Sequence, residues 1–220
     1  MKKPAQMVNV ILEYDQGTLV LSPPGLQEQL VPDGFVIDPR IEGKYRAEGH
    51  LYRRTVGQLS RSGIGFEDRA RQYEILDLCQ QHSRTPYPHQ QEALDAWQAA
   101  ERRGIVVLPT GAGKSYVAEM AILSVQRSTL VVVPTLDLMA QWARTLEQAF
   151  GVSVGMVGGG EHRVEDITIT TYDSAYRHMD RLGNRFGFIV FDEVHHLPGA
   201  TYLQSASLSI APYRLGLTAT

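Results

Sequence analysis

The chain has 220 residues, 43% hydrophobic and 20% charged, a balance that makes one or two domains with a sizeable core and excludes a disordered tail. Its single cysteine, Cys79, excludes an internal disulfide framework, and the apolar run Val8–Leu12, interrupted by Asn9 and stopped by Glu13, is too short for a signal peptide or a membrane span. A cytoplasmic location, nuclear in a eukaryote, is the expectation, and the formal net charge of −3 means that any nucleic-acid binding must rest on local patches.

The first eighty residues predict a small mixed α+β domain. Val8–Leu12 and Thr18–Leu21 are β-like runs on either side of Asp15-Gln16-Gly17, a hairpin sequence, and Pro23-Pro24-Gly25 breaks the chain after them. Phe35–Ile37 reads as a further strand, a basic helix follows, and Ile64–Phe66 reads as another strand. Between Arg40 and Arg61 six basic residues (Arg40, Lys44, Arg46, Arg53, Arg54, Arg61) face two acidic ones (Glu42, Glu48), an excess of four, with Tyr45 and Tyr52 interleaved. Tyr52, Val56 and Leu59 share one helical face and Arg54 and Arg61 another. That pattern by itself favours an ordinary solvated surface helix; the alternative is a patch in which Arg53, Arg54 and Arg61 contact DNA phosphates. Ser83-Arg84-Thr85-Pro86-Tyr87-Pro88 reads as the linker, dividing residues 1–82 from 83–220. An amphipathic helix over Gln90–Arg103, capped by Gly104, starts directly after it.

From there strands and helices alternate: strand Ile105–Leu108, helix Lys114–Gln126, strand Leu130–Val133, helix Leu136–Phe150, strands Val152–Val157 and Ile167–Thr171, helix Ser174–Leu182, and strands Phe186–Phe191 and Leu215–Thr218. This order predicts an α/β fold with a parallel sheet that binds ligands at its C-terminal strand ends. Pro109-Thr110-Gly111-Ala112-Gly113-Lys114-Ser115 lies at one such end. Leu108 stands where the longer phosphate-loop pattern has its first glycine, so the match is to the shorter Gly-x-Gly-Lys-Ser core. Backbone N–H groups from Thr110 to Ser115 would surround phosphate oxygens, Lys114 would reach the β- and γ-phosphates of ATP, and Ser115 would ligate Mg²⁺. Asp192-Glu193 lies at another end, behind Phe188-Ile189-Val190-Phe191, so that Asp192 can hold the metal and Glu193 can orient the attacking water. His195-His196 has no neighbouring spacing that fits a zinc site. A second basic stripe, Arg177, Arg181 and Arg185, is spaced by four along the helix beginning near Ser174.

Six segments carry a resemblance in their order: Pro88-His89-Gln90-Gln91-Glu92-Ala93, Gly111–Ser115, Val133-Pro134-Thr135-Leu136, Thr170-Thr171-Tyr172-Asp173-Ser174, Asp192-Glu193-Val194-His195 and Thr218-Ala219-Thr220. Together they resemble the first motor-lobe motifs of superfamily 2 helicases. The wording of Tyr172–Tyr176 and Phe191–Pro198 is similar to the XPB family of ATP-dependent DNA helicases and translocases of nucleotide excision repair. Gly43-Lys44-Tyr45-Arg46-Ala47 with Tyr52-Arg53 resembles the small damage-recognition domain ahead of the motor in its compact members. The resemblance implies a RecA-like parallel sheet with helices on both faces. It implies that Gln90 reads the adenine edge, that Lys114, Ser115, Asp192 and Glu193 handle Mg-ATP, and that Pro134, Thr135 and Thr171 grip the DNA backbone. Thr218 and Thr220 would couple nucleotide state to that grip, and His195 sets the chain apart from helicases that end this motif Asp-Glu-Ala-Asp. Tyr87 stands where the family usually has an arginine. The resemblance further implies a second motor lobe beyond Thr220 that brings arginine fingers, and a nuclease or a repair or transcription protein as partner. The same motifs also serve restriction-type translocases, which adjoin a nuclease domain. A non-catalytic nucleic-acid-binding module is a third reading, and the intact Lys114, Asp192 and Glu193 argue against it.

Overall fold

The computed structural model describes residues 10–22, 31–63, 65–82 and 84–219. Val8 and Asn9, the Pro23-Pro24-Gly25 break, Ile64, Ser83 and Thr220 lie outside the described residues.

The N-terminal unit is a five-stranded sheet of order β3-β4-β2-β1-β5, formed by β1 (Val10–Asp15), β2 (Thr18–Ser22), β3 (Val36–Ile37), β4 (Tyr45–Glu48) and β5 (Phe66–Asp68). Gln16 and Gly17, at φ 48° and 86°, supply the left-handed pair that a tight β1–β2 hairpin requires. The inward row Val10, Leu12, Leu19 and Leu21 packs with Tyr52 and Leu59 of α1 (Tyr52–Arg61). The expected basic helix is α1, the last ten residues of the Arg40–Arg61 segment, and Tyr45–Glu48 ahead of it pairs with β2. Ala47 is buried opposite Leu19 while Arg46 turns the other way, and that period of two overrides any helical preference. On its own face Arg46 donates to Asp38 at 2.7 Å and to Asp15 at 2.9 Å. The basic cluster is therefore spread over a loop, a strand and a helix.

The larger unit contains α2 (Pro88–Ala99), β6 (Arg103–Val107), α3 (Lys114–Val125), β7 (Thr129–Val133), α4 (Leu136–Phe150), β8 (Val154–Gly158), β9 (Glu161–Arg163), β10 (Ile167–Thr171), α5 (Tyr172–Leu182), β11 (Phe188–Asp192), α6 (Ala200–Ser207) and β12 (Tyr213–Thr218). The strand order is β6-β12-β11-β7-β10-β8-β9, parallel except for β9. Every residue of β7, β10 and β11 is buried, as a parallel sheet covered on both faces demands. One face packs Val131, Ile169 and Val190 against Trp97, Ile122 and Leu146 of α2, α3 and α4. The other packs Val132, Ile189 and Phe191 against Tyr172, Ala175 and Met179 of α5.

Three local expectations are corrected. Helix α2 stops at Ala99, and Gly104 lies inside β6 rather than capping the helix; Glu101 and Arg102, at φ 58° and 61°, make the turn. Helix α5 ends at Leu182, where the Gly183 N–H closes onto the Met179 carbonyl, so Arg185 is not on the stripe of Arg177 and Arg181. The short strand β9 and helix α6 were not foreseen, since three exposed residues and eight mixed ones carry no clear period.

The two units are firmly joined. Residues 71–82, placed above with the small domain, run extended along the larger one: the Gln126 side chain donates to the Leu78 carbonyl and accepts its N–H, and Leu78 is buried in the larger core. The Tyr14 hydroxyl lies 2.9 Å from both the Met179 and Leu208 carbonyls, sharing one proton between them. Gly183 sits beneath it, where a Cβ would overlap that hydroxyl and stand 2.6 Å from the Leu208 oxygen. Tyr14→Phe is expected to cost about 1 kcal/mol of stability. Gly183→Ala is expected to cost clearly more, because backbone atoms must shift; denaturant midpoints of the two variants check the ranking.

Candidate active site

The carboxyl ends of six parallel strands bring the sequence-predicted residues to one edge of the sheet. Beyond β6 lies the loop Leu108–Gly113, β12 ends at Thr218 and β11 at Asp192; β7 leads into Pro134 and Thr135, β10 ends at Thr171 and β8 at Gly158. The nucleotide candidates occupy the β6-β12-β11 half and Pro134, Thr135 and Thr171 the other.

Gly111 and Gly113 adopt φ 82° and 80°, and Gly113 opens α3 in the left-handed conformation. The loop thereby turns its backbone toward the helix N-terminus, where unsatisfied N–H groups favour an anion. A Cβ on Gly113 would overlap the Gln90 amide, so the loop closes only with glycine there. Lys114 Nζ lies 3.4 Å from the Leu108 carbonyl, folded back over the loop, and Thr110 and Ser115 are exposed. Gln90 is 4% exposed: its Oε1 accepts the Tyr87 N–H at 3.0 Å and its Nε2 donates to the Ala112 carbonyl at 2.9 Å. The same carbonyl lies 3.0 Å from His89 Nε2. In this arrangement Gln90 braces the loop from behind, and the exposed group beside it is Tyr87, stacked on the His89 ring at 5.8 Å.

The Asp192 carboxylate is buried, and burial raises its pKa above the ordinary value. The Trp142 indole N–H, donating to Oδ2 at 2.8 Å, opposes that rise, as does the positive charge of Lys114. The Glu193 N–H donates to Oδ1 at 3.1 Å and the Tyr172 hydroxyl to the Asp192 carbonyl at 3.0 Å. Glu193 follows at φ 49°, an uncommon conformation for a residue with a Cβ, which turns the chain out of the strand. His195 Nδ1 lies 3.5 Å from the Glu193 carboxylate and 3.1 Å from Thr218 Oγ1, so one imidazole spans the ends of β11 and β12. Among the described residues no group of three or more His, Cys, Asp or Glu side chains forms a metal cluster. A hydroxyl at Ser115 with one carboxylate at Asp192 suits Mg²⁺, which keeps most of its waters.

Thr135 and Thr171 are the N-caps of α4 and α5, accepting the N–H groups of Leu138 and Ser174 at 3.3 and 3.2 Å. Arg53, Arg54 and Arg61 are not at this edge. They lie on α1, near Arg103 at the opposite end of β6; Arg53 is bound to Glu101 and Arg54 to Asp33.

Sequence reasoning missed Trp142, Tyr172 and the run Gly158-Gly159-Gly160. Trp142 and Tyr172 sit on the apolar stripes of α4 and α5, where periodicity marks only a core residue. The glycines take φ 147°, 61° and 92°, and a Cβ on Gly158 would stand 3.0 Å from Ser174 Oγ. A run of three glycines was the available signal.

Removing the Trp142 donor takes a hydrogen bond from ionised Asp192, so its pKa rises further. The Trp142→Phe variant is expected to lose Mg²⁺-dependent nucleotide binding at a higher pH than wild type on acidification, with binding restored in alkali. Titration of a fluorescent nucleotide across pH checks it; an unmoved acid limb would reduce Trp142 to packing.

Comparison with known proteins gives these features a family. Residues 83–220 match the family model of the type III restriction enzyme res subunit, and residues 12–70 match that of the xeroderma pigmentosum group B helicase damage recognition domain. A DNA 3'-5' translocase XPB2 of Sulfurisphaera tokodaii is 50% identical over 132 residues, 60% of this chain and 30% of that protein. A DNA 3'-5' helicase XPB of Mycobacterium tuberculosis is 34% identical over 143 residues, 60% of this chain and 26% of that protein. The chain thus spans less than a third of the length of these curated relatives. The crystal structure of the bacteriophage T4 UvsW helicase shares the fold with a TM-score of 0.55 at 15% identity, covering 96% of this chain and 92% of that one. With the res-subunit match extending over more than half of its length behind the damage-recognition match, the chain belongs to this helicase family and carries the XPB-type pairing of a damage-recognition domain with a RecA-like helicase lobe.

Proposed function

We propose that this chain binds Mg-ATP and DNA as part of an ATP-dependent DNA helicase or translocase of nucleotide excision repair type. The observation that carries the reading is the convergence of the phosphate loop and Asp192-Glu193 on one sheet edge, near enough for the Lys114 charge to bear on Asp192. Mg-ATP, when bound, would supply the γ-phosphoryl group and a divalent charge to offset that of the phosphates. Backbone N–H groups of Thr110–Gly113 and the Lys114 ammonium hold phosphate oxygens, and Ser115 and Asp192 hold the metal. Glu193 orients the attacking water. His195, in contact with both Glu193 and Thr218, transmits the state of that carboxylate to β12. Pro134, Thr135 and Thr171 hold DNA phosphates at the N-termini of α4 and α5, a grip without sequence information that suits a motor. Thr220, outside the described residues, joins Thr218 in this coupling. A second motor lobe supplying arginine fingers and a nuclease or repair partner complete the working enzyme. Among the described residues no helix is long and apolar enough to cross a membrane.

The res-subunit match favours a restriction-type translocase as a second reading, and the damage-recognition match over residues 12–70 weighs against it.

In a protein that includes the second lobe, Lys114→Ala is expected to remove DNA-stimulated ATP turnover. Glu193→Gln is expected to spare nucleotide binding and block hydrolysis; normal turnover in that variant would contradict the role of Glu193. An arginine finger contributes roughly 10³ to 10⁵ in rate. The 220-residue chain is therefore expected to bind Mg-ATP while hydrolysing it at a rate lower by about that factor, and robust steady-state turnover by the monomer would contradict the need for a second lobe.

A further inference from the structure

Between α1 and the start of β6 lies a groove of about 570 Å³ lined by Arg53, Arg54, Gly57, Arg61, Glu101 and Arg103. Three of its arginines come from the small unit and Arg103 from the large one. On α1 the positions 53, 54, 57 and 61 share one face, a stripe about 12 Å long at 1.5 Å per residue. Gly57 leaves the middle of that stripe low: the atoms nearest to a Cβ there would be those of the Arg61 guanidinium, from 3.5 Å. A mid-helix glycine lowers helix stability. Its presence here is matched by the open space above it.

The charges in this groove are incompletely matched. Arg54 reaches Asp33 at the rim, whereas Arg61 and Arg103 make no side-chain hydrogen bond or ion pair among the described residues. Burial and the adjacent Arg53 disfavour the charged form of Arg103, and the Glu101 carboxylate partly offsets them. His50, on the same wall, has its pKa lowered chiefly by burial and adds no charge near neutrality. The compensating carboxylate inside the groove is Glu101, whose Oε2 lies 3.0 Å from Arg53 Nη2 and whose carbonyl accepts Arg53 Nη1 at 2.9 Å. Glu101 stands in the left-handed turn between α2, which carries Gln90 against the phosphate loop, and β6, which runs into that loop.

Resting on the DNA-binding reading above, we propose that this groove is a composite site for DNA backbone phosphates, shared by the two units, in which Glu101 competes with phosphate for Arg53. Planar guanidinium forks suit phosphate oxygens in pairs. A 12 Å stripe spans several phosphates of one strand, spaced by about 3.4 Å along the duplex axis, which favours a polymer over a free anion. Phosphate entering the groove takes Arg53 from Glu101, relieves the repulsion between Arg53 and Arg103, and loosens the turn that holds α2 to β6.

The test measures duplex affinity against salt concentration for the 220-residue chain, with circular dichroism checking the fold. Arg61→Gln is expected to lower the slope of log affinity against log salt by about one, and Arg61→Gln with Arg103→Gln by about two. Glu101→Gln is expected to tighten DNA binding more than Glu147→Gln, which makes the same charge change at an exposed site on α4. Unchanged slopes in folded variants that still bind DNA, or equal effects of the two glutamate changes, would overturn the groove and leave the DNA reading standing. Wild type that binds no DNA at low salt would overturn the DNA reading itself. A polyglutamate that displaces DNA as well as a competing duplex does would replace phosphate with an acidic protein segment as the occupant.

Discussion

The buried carboxylate of Asp192 organises the larger unit. A carboxylate removed from water keeps its charge only if donors and a cation are aimed at it. Here the donors come from separate elements: the indole of Trp142 on α4, the backbone of Glu193 beyond β11, and at longer range the Lys114 ammonium at the start of α3. Tyr172 of α5 holds the carbonyl of the same residue from the opposite face of the sheet. Two helices that begin with threonine caps, and a strand buried at every position, are thus tied to one charged group. The caps at Thr135 and Thr171 lie where the proposed DNA grip is, and Trp142 is two helical turns from Thr135 along α4. A displacement at the proposed grip therefore has a short, rigid route to the Asp192 carboxylate.

Contiguity decided how much of this was legible in the sequence. The phosphate loop is a single run of residues whose backbone angles and flanking strand and helix follow from glycine positions and periodicity, so its location and conformation were readable. Asp192-Glu193 behind four apolar residues was readable for the same reason. Gln90 was read by resemblance as the contact to the adenine edge, whereas both ends of its amide bond Tyr87 and Ala112, a fact of three-dimensional packing. Trp142 was invisible as a donor because an indole on an apolar stripe looks like any core residue until its N–H is seen to point at a carboxylate.

The basic segment shows the opposite failure, in which local counting overstated a property. Six cations against two anions between Arg40 and Arg61 is correct as sequence, but the fold brings Glu13, Asp15, Asp33, Asp38 and Glu101 against that segment from outside it. Arg46 in particular lies between Asp15 and Asp38, and it tethers the β1–β2 hairpin to the segment between β3 and β4. Net charge in a window predicts a field only when long-range partners are few. Tyr45 to Glu48 was assigned to no element in the sequence, and only its pairing with β2 reveals the strand.

The extended stretch from 71 to 82 bears on where one unit ends and the next begins. Composition puts the border at the proline-rich junction after it, while the hydrogen bonds of Gln126 to Leu78 and the pairing of Ile75 with Arg127 belong energetically to the larger lobe. A motor lobe excised at the prolines would lose Leu78 from its hydrophobic core and would leave the Gln126 amide without its partner. Inheritance of the two units as separable modules would accordingly have to carry this strap with the motor, so a shuffled or transplanted damage-recognition domain has its natural seam near Ala70, ahead of the strap.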